Sequence, residues 1–109
     1  MRRRNKFFNK SVTIDGIKFD SGREGERYCE LKLLQRGKLI RELECHPVFD
    51  IVVNGKLVCR YEADFRYFDV ERRERIVEDV KCKYTRTAEY MLKKKLMRIV
   101  NGIYIVEIF

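Results

Sequence analysis

Only one histidine, His46, occurs in the sequence, and the four cysteines, Cys29, Cys45, Cys59 and Cys82, are scattered along it. Zinc knuckles need closely spaced cysteine or histidine pairs, so a structural zinc site of that kind is excluded. HNH nucleases and histidine-pair ribonuclease mechanisms each need two histidines, which one copy of this chain does not have. The scattered cysteines predict reduced, mostly buried thiols in an intracellular, cytoplasmic protein. No apolar run approaches the length of a bilayer-spanning helix, so no membrane association is expected. The first ten residues, MRRRNKFFNK, lack the apolar segment and small-residue cleavage site of a secretory signal. A G-x-x-x-x-G-K-[ST] loop is missing as well, which predicts no nucleotide cofactor within the chain. The single proline, Pro47, marks an edge, bulge or break in a strand.

What is present is charge. Lysine and arginine number 25 against 17 aspartates and glutamates, a net charge of +8. That excess suggests a polyanionic partner, nucleic acid first and an acidic membrane surface second. Residues 1–10 carry five basic residues and no acid; they read as a basic arm in which Arg2, Arg3 and Arg4 could meet phosphates. Residues 11–109 are enough for a single domain with one core, and 45% hydrophobic residues can fill it.

Turn and cap signals divide that domain. VTIDGIKF reads as a hairpin around Asp15-Gly16. Ser21, with Glu24 three residues on, starts a helix over about 22–36, and Gly37 sits where a C′ glycine belongs. Residues 39–53 have strand character, and Asn54-Gly55 turns them into a second long strand, KLVCRYEADFRYF. A polar turn near 69–74 leads to RIVEDVKCK. Thr85 or Thr87 then starts a helix to about Val100, with Ala88, Leu92, Leu96 and Ile99 as its apolar stripe. Asn101-Gly102 ends it before a final strand, IYIVEIF. The order is helix, three-strand meander, helix, strand. This predicts an α/β domain with a mixed sheet of four to five strands and two flanking helices.

Within this frame, IVEDVK (residues 76–81) places charge in an apolar strand. A strand repeats every two residues, so Asp79 and Lys81 share a face and Glu78 takes the other. In YEADFRY, Asp64 shares a face with Glu62 and Arg66, and Tyr61, Ala63, Phe65 and Tyr67 share the opposite one. If the two strands pair, Asp64, Asp79 and Lys81 converge. Two carboxylates held together repel unless a cation lies between them, and hard oxygen ligands suit Mg²⁺, with Mn²⁺ as substitute. A neighbouring lysine can stabilise an attacking hydroxide or the charge developing on a phosphate. On the first helix Glu24 shares a sector with Tyr28 and Leu31 and so points toward the core; it is either a capping-box partner, a third carboxylate of the site, or both. Glu26 and Glu30 can pair with nearby arginines, while Cys29 and Leu33 lie opposite.

An acid on one strand, a (D/E)-X-K tripeptide on the next and a helical glutamate upstream resemble the PD-(D/E)XK nuclease superfamily. The matching pieces are Asp64 in E-A-D, Asp79-Val80-Lys81, and Glu24 in S-G-R-E. Ala63 stands where that pattern usually has proline. FDSGREGERYCELKLL, LECHPVF and TRTAEYMLKKKL extend the likeness to small phage- and prophage-type endonucleases of the Holliday-junction resolvase kind. The resemblance implies a restriction-endonuclease-like core. It further implies a metal held by Asp64, Asp79, the Val80 carbonyl and Glu24, with Lys81 activating or orienting the water. Gly102-Ile103-Tyr104 superficially resembles the GIY-YIG nucleases, but too little chain follows it.

The expected function is a Mg²⁺-dependent endodeoxyribonuclease acting on branched DNA as a homodimer, since cutting two strands of a junction takes two sites. Lys93, Lys94, Lys95 and Arg98 on the second helix are candidate phosphate contacts, and Tyr90 lies either near that surface or in the core. His46, Glu62 and Glu78 are candidates for a supporting role around the metal ligands, and Glu44 shares the strand parity of His46. Two alternatives stay open: a non-catalytic basic nucleic-acid-binding module, and a sequence-specific restriction-like nuclease.

Overall fold

Asp15 and Gly16 both take positive φ (54° and 77°). They close a two-residue turn between β1 (Val12–Ile14) and β2 (Ile17–Phe19), as the sequence predicts. The computed structural model describes residues 10–109; the expected basic arm with Arg2, Arg3 and Arg4 falls outside the described residues. After β2 comes α1 (Gly22–Arg36), capped by the Ser21 hydroxyl, which accepts the Glu24 N–H at 3.2 Å. Gly25 faces the β1 strand so closely that a Cβ there would lie 2.7 Å from Val12 Cγ2. At the other end Gly37 stays right-handed, and it is Lys38 that takes the left-handed conformation.

β3 (Ile40–Cys45) and β4 (Val48–Val53) are two halves of the strand expected at 39–53, broken at His46-Pro47. β5 (Lys56–Glu62) and β6 (Phe65–Asp69) are likewise two halves, broken at Ala63-Asp64. The breaks lie opposite each other: the His46 N–H donates to the Asp64 carbonyl at 2.9 Å, and the Ala63 N–H to the Pro47 carbonyl at 3.0 Å. The long hairpin therefore bends as a unit. Its outer half, β4–β5, is a separate two-stranded ribbon closed by Asn54-Gly55. Its inner half joins β7 (Glu74–Val80) and β8 (Ile105–Ile108) in a four-stranded sheet of order β3-β6-β7-β8. β7 and β8 run parallel, linked through α2 (Ala88–Asn101), so the sheet is mixed, as expected.

The two helices cover opposite faces. Tyr28 and Leu31 of α1 pack on Phe19, Ile40, Phe65 and Tyr67. Tyr90 and Met97 of α2 pack on Phe49, Ile51, Tyr61, Ala63, Val77 and Ile105. Three expectations are corrected here. Tyr61 and Ala63 do not share a face with Phe65 and Tyr67, because the break at Ala63-Asp64 resets the alternation. The buried side of α2 is Tyr90 and Met97, flanked by Leu96 and Val100, whereas Leu92 and Ile99 are 58% and 64% exposed and Ala88 is exposed too. Tyr90 takes the inward position with its ring centroid 6.4 Å from that of Tyr61 and its hydroxyl donating to the half-buried Glu107. The cysteines are free, but Cys29 and Cys82 are exposed and Cys45 and Cys59 only half-buried.

Candidate functional site

The double break in the hairpin carries His46 and Asp64 to the end of β7, where Asp79 and Lys81 stand. The Asp64 and Asp79 carboxylates are locked reciprocally. Asp79 Oδ1 accepts the Asp64 N–H at 3.0 Å, and Asp64 Oδ2 accepts the Val80 N–H at 2.7 Å. Each acid thus accepts a backbone N–H at the strand break, the Asp64 N–H being shared with the Glu78 carbonyl at 3.1 Å. From above, α1 contributes Glu24, buried at its first turn. Glu24 accepts the Asp20 N–H at 3.4 Å, one residue before the Ser21 N-cap, so it backs the helix start without the N-cap bond of the expected capping box. Ligand atoms of Glu24, His46 and Asp64 all lie within 4.8 Å of one another.

These carboxyls are held unfavourably in the absence of a cation. Burial, followed by the nearby Asp64, pushes Glu24 up to about 7. Burial pushes Asp79 up to about 6 against the opposing pull of Lys81, and burial raises Asp64 as well. Asp79 is 3% exposed, and its Oδ2 has no hydrogen-bond partner. A buried carboxylate oxygen without a partner is costly; a bound divalent cation is the group whose charge and coordination would relieve it. The donor set is predominantly hard oxygen, which fits Mg²⁺ or Mn²⁺.

Lys81 and Asp79 open onto a cleft of about 590 Å³ that Arg60, Glu62, Thr87 and Lys93 also line. The Lys81 ammonium sits 4.1 Å from the centroid of the Tyr90 ring. Tyr90 in turn donates its hydroxyl to Glu107 at 2.8 Å, and Glu107 receives Lys94 at 3.1 Å and Arg86 at 3.1 Å. Tyr90 is therefore core and site wall at once. The sequence reading missed Arg60 and Glu107. The clue to Glu107 was the one that exposed Asp79, an acid inside an apolar strand, IYIVEIF.

The other predicted residues fall as follows. Glu62 lines the cleft. Glu78, 1% exposed, turns away from Asp79 as strand parity predicts and pairs with Arg27 beneath α1. Glu44 pairs with Arg66 and is not brought to the acids. Glu26 and Glu30 pair with Arg23 and Arg27. Lys93 stands in the cleft, bonded to Glu89 at 3.3 Å, while Lys94, Lys95 and Arg98 line a separate groove with Met91 and Tyr104. Residues 4–105 match the protein family described as "Protein of unknown function (DUF1064)". The chain belongs to this family. No curated protein and no solved structure matches it. The DUF1064 match spans Glu24, His46, Asp64, Asp79 and Lys81, so the whole constellation lies inside the family's domain.

The raised acids set the pH dependence of this DUF1064 domain. A carboxyl whose folded pKa exceeds its unfolded value binds its proton more tightly when folded. Its contribution is complete below the unfolded value, 4.5 for Glu24 and 3.8 for Asp79, and is lost as pH rises to about 7 and about 6. Metal-free protein should therefore lose stability between pH 4 and 7 more steeply than its Glu24→Gln variant. Melting temperatures of both, taken across that range in a chelating buffer, check this. Millimolar Mg²⁺ should recover the loss at pH 7.5 and have little effect at pH 5. Parallel pH curves for the two proteins would contradict it.

Proposed function

We propose that the protein is a metal-dependent endodeoxyribonuclease of the PD-(D/E)XK type, selective for branched DNA in the manner of Holliday-junction resolvases. The observation that carries this reading is the reciprocal lock of Asp64 and Asp79 beside Lys81, with Glu24 above them. Their element order, helix, meander, helix and parallel strand, agrees with a restriction-endonuclease-like core. Asp64, Asp79, Glu24 and the Val80 carbonyl would hold the ion. A divalent ion there supplies Lewis acidity and lowers the pKa of a water.

The chain's own residues do the rest. The backbone locks fix the two aspartates against their mutual repulsion. Lys81, held over Tyr90, is placed to orient the attacking water and to offset charge building on the phosphate. Arg60 and Lys93 along the cleft offer cations to the flanking backbone phosphates. Such contacts read phosphate and shape rather than base sequence, which favours a structural substrate. Two cuts across a junction call for a homodimer.

The test is a cleavage panel of four-way junction, flap, single strand and linear duplex, with Mg²⁺ or Mn²⁺. The junction should be cut fastest. Binding without cutting under either metal would make the protein a non-catalytic DNA-binding module. Products sharing one fixed flanking sequence on linear duplex would make it a restriction-like nuclease.

A further inference from the structure

We infer that His46 is itself a metal ligand, and that the site consequently favours a first-row transition ion such as Mn²⁺ over Mg²⁺. The inference rests on the metal-dependent reading above only in requiring that a divalent ion binds at these acids. From the sequence, His46 looked at most like a supporting contact. In the fold its imidazole meets Glu24 and Asp64, with ligand atoms of all three within 4.8 Å of one another. Ligands sharing an ion with bonds near 2.1 Å stand about 3.0 Å apart at right angles and about 4.2 Å apart when opposite, so three atoms within 4.8 Å of one another come within reach of one ion through side-chain adjustment.

Nothing about His46 is casual. It has φ 58°, a left-handed conformation uncommon outside glycine. It also precedes Pro47, a position normally biased to extended backbone. The strain is held by two hydrogen bonds to the opposite strand, His46 N–H to Asp64 O and Ala63 N–H to Pro47 O. The ring leans on Phe19, centroids 5.6 Å apart. Beside this trio, and outside it, Asp79 keeps a buried Oδ2 with no hydrogen-bond partner, while its other oxygen sits on the Asp64 N–H.

The chemistry follows from the donor set. Carboxylates alone accept Mg²⁺, Ca²⁺ and Mn²⁺ alike, but an imidazole nitrogen binds the later first-row ions better and Mg²⁺ poorly. A Glu-His-Asp set should thus bind Mn²⁺ more tightly than Mg²⁺.

Because His46 is the only histidine in the chain, the test is unambiguous on the full chain without a histidine tag. Electron spin-echo spectra of the Mn²⁺-loaded protein should carry the ¹⁴N modulation of a directly bound imidazole, and His46→Asn should abolish it. Asparagine tolerates left-handed backbone, so this variant should fold; circular dichroism checks that it does, with His46→Ala as a second probe. Calorimetric titration should show Mn²⁺ affinity falling at least about tenfold in His46→Asn, the scale of losing a group that tunes a metal site, with Mg²⁺ affinity changed far less. Mn²⁺ bound without ¹⁴N coupling, or bound equally well by His46→Asn, overturns the assignment and leaves the nuclease reading standing. If neither ion binds wild type, both readings fall together. Cleavage by wild type in Mn²⁺ and Mg²⁺ at equal rates and affinities would overturn the preference alone.

Discussion

Asp79→Asn should cut DNA about 10²–10³-fold more slowly than wild type, bind it at least as well, and melt higher in the absence of metal. The rate follows from what the side chain does. It is the carboxylate that the strand lock holds between Asp64 and Lys81, and removing one positioned charge-bearing group at a reaction centre costs on the order of 10²–10³-fold even where the group is not the only one. Binding should not suffer, because the substitution removes a negative charge from a cleft that also holds Arg60, Lys81 and Lys93. The stability change has the opposite sign to that of an ordinary core substitution. Asparagine keeps an oxygen to accept the Asp64 N–H, so the backbone lock survives. What disappears is a buried charge whose Oδ2 has no partner and whose pKa burial has driven up to about 6. At pH 8 that charge is a standing penalty, and each kcal/mol recovered raises the melting temperature of a domain this size by roughly 4–8 °C; the amide's own unmet donors offset part of it. Single-turnover cleavage, a DNA-binding isotherm and a melting curve in chelator together check the three signs. An activity loss accompanied by a lower melting temperature and weaker DNA binding would mean that Asp79 is merely structural.

The parts of this arrangement that the sequence discloses are those made locally. Asp15-Gly16 and Asn54-Gly55 fix their turns through their own left-handed backbones, and Ser21 and Thr87 cap their helices within one turn. The separation of Glu78 from Asp79 needed only strand periodicity. The parts that were not legible depend on breaks with no turn signal. Ala63-Asp64 looks like the middle of a strand, and only its pairing with the kink at His46-Pro47 interrupts the alternation and sends Phe65 to the opposite face from Ala63. The convergence of Glu24 and Asp64 was expected from helix and strand phases, but the arrival of His46 beside them depends on that kink, so its imidazole could not be ranked above a bystander. On α2, Leu92 and Ile99 made a stripe as convincing as Tyr90 and Met97. The choice was settled by Glu107, 17 residues along the chain from Tyr90, which no helical periodicity can foresee.

Arg27→Ala should destabilise the protein as strongly as truncating a core phenylalanine, with cleavage per folded molecule nearly unaltered. Glu78 is 1% exposed. Its charge is met by a two-pronged bond from Arg27, Nε to Oε1 at 2.9 Å and Nη2 to Oε2 at 2.6 Å, and by the Tyr67 hydroxyl. The bond to Glu78 pushes the Arg27 guanidinium further up, and burial, reinforced by Glu78, raises the Tyr67 hydroxyl. Cutting Arg27 back to alanine leaves a carboxylate in the core beneath α1 with one neutral donor. Stranding one partner of a buried pair costs about 3–5 kcal/mol, against a total of about 5–15 kcal/mol for a domain of ordinary stability. Urea unfolding should show a midpoint shift of that size without a change in slope. Replacing both residues by methionine should return much of the loss, because hydrophobic groups of similar volume carry no desolvation penalty. Glu78 faces α1 and Asp79 faces the cleft under α2, so the rate measured on the folded fraction, and the Mn²⁺ affinity with it, should stay within a few-fold of wild type. If Arg27→Ala instead leaves stability intact and abolishes cleavage, the pair belongs to the catalytic apparatus, and the division of β7 into a structural face and a reactive face is wrong.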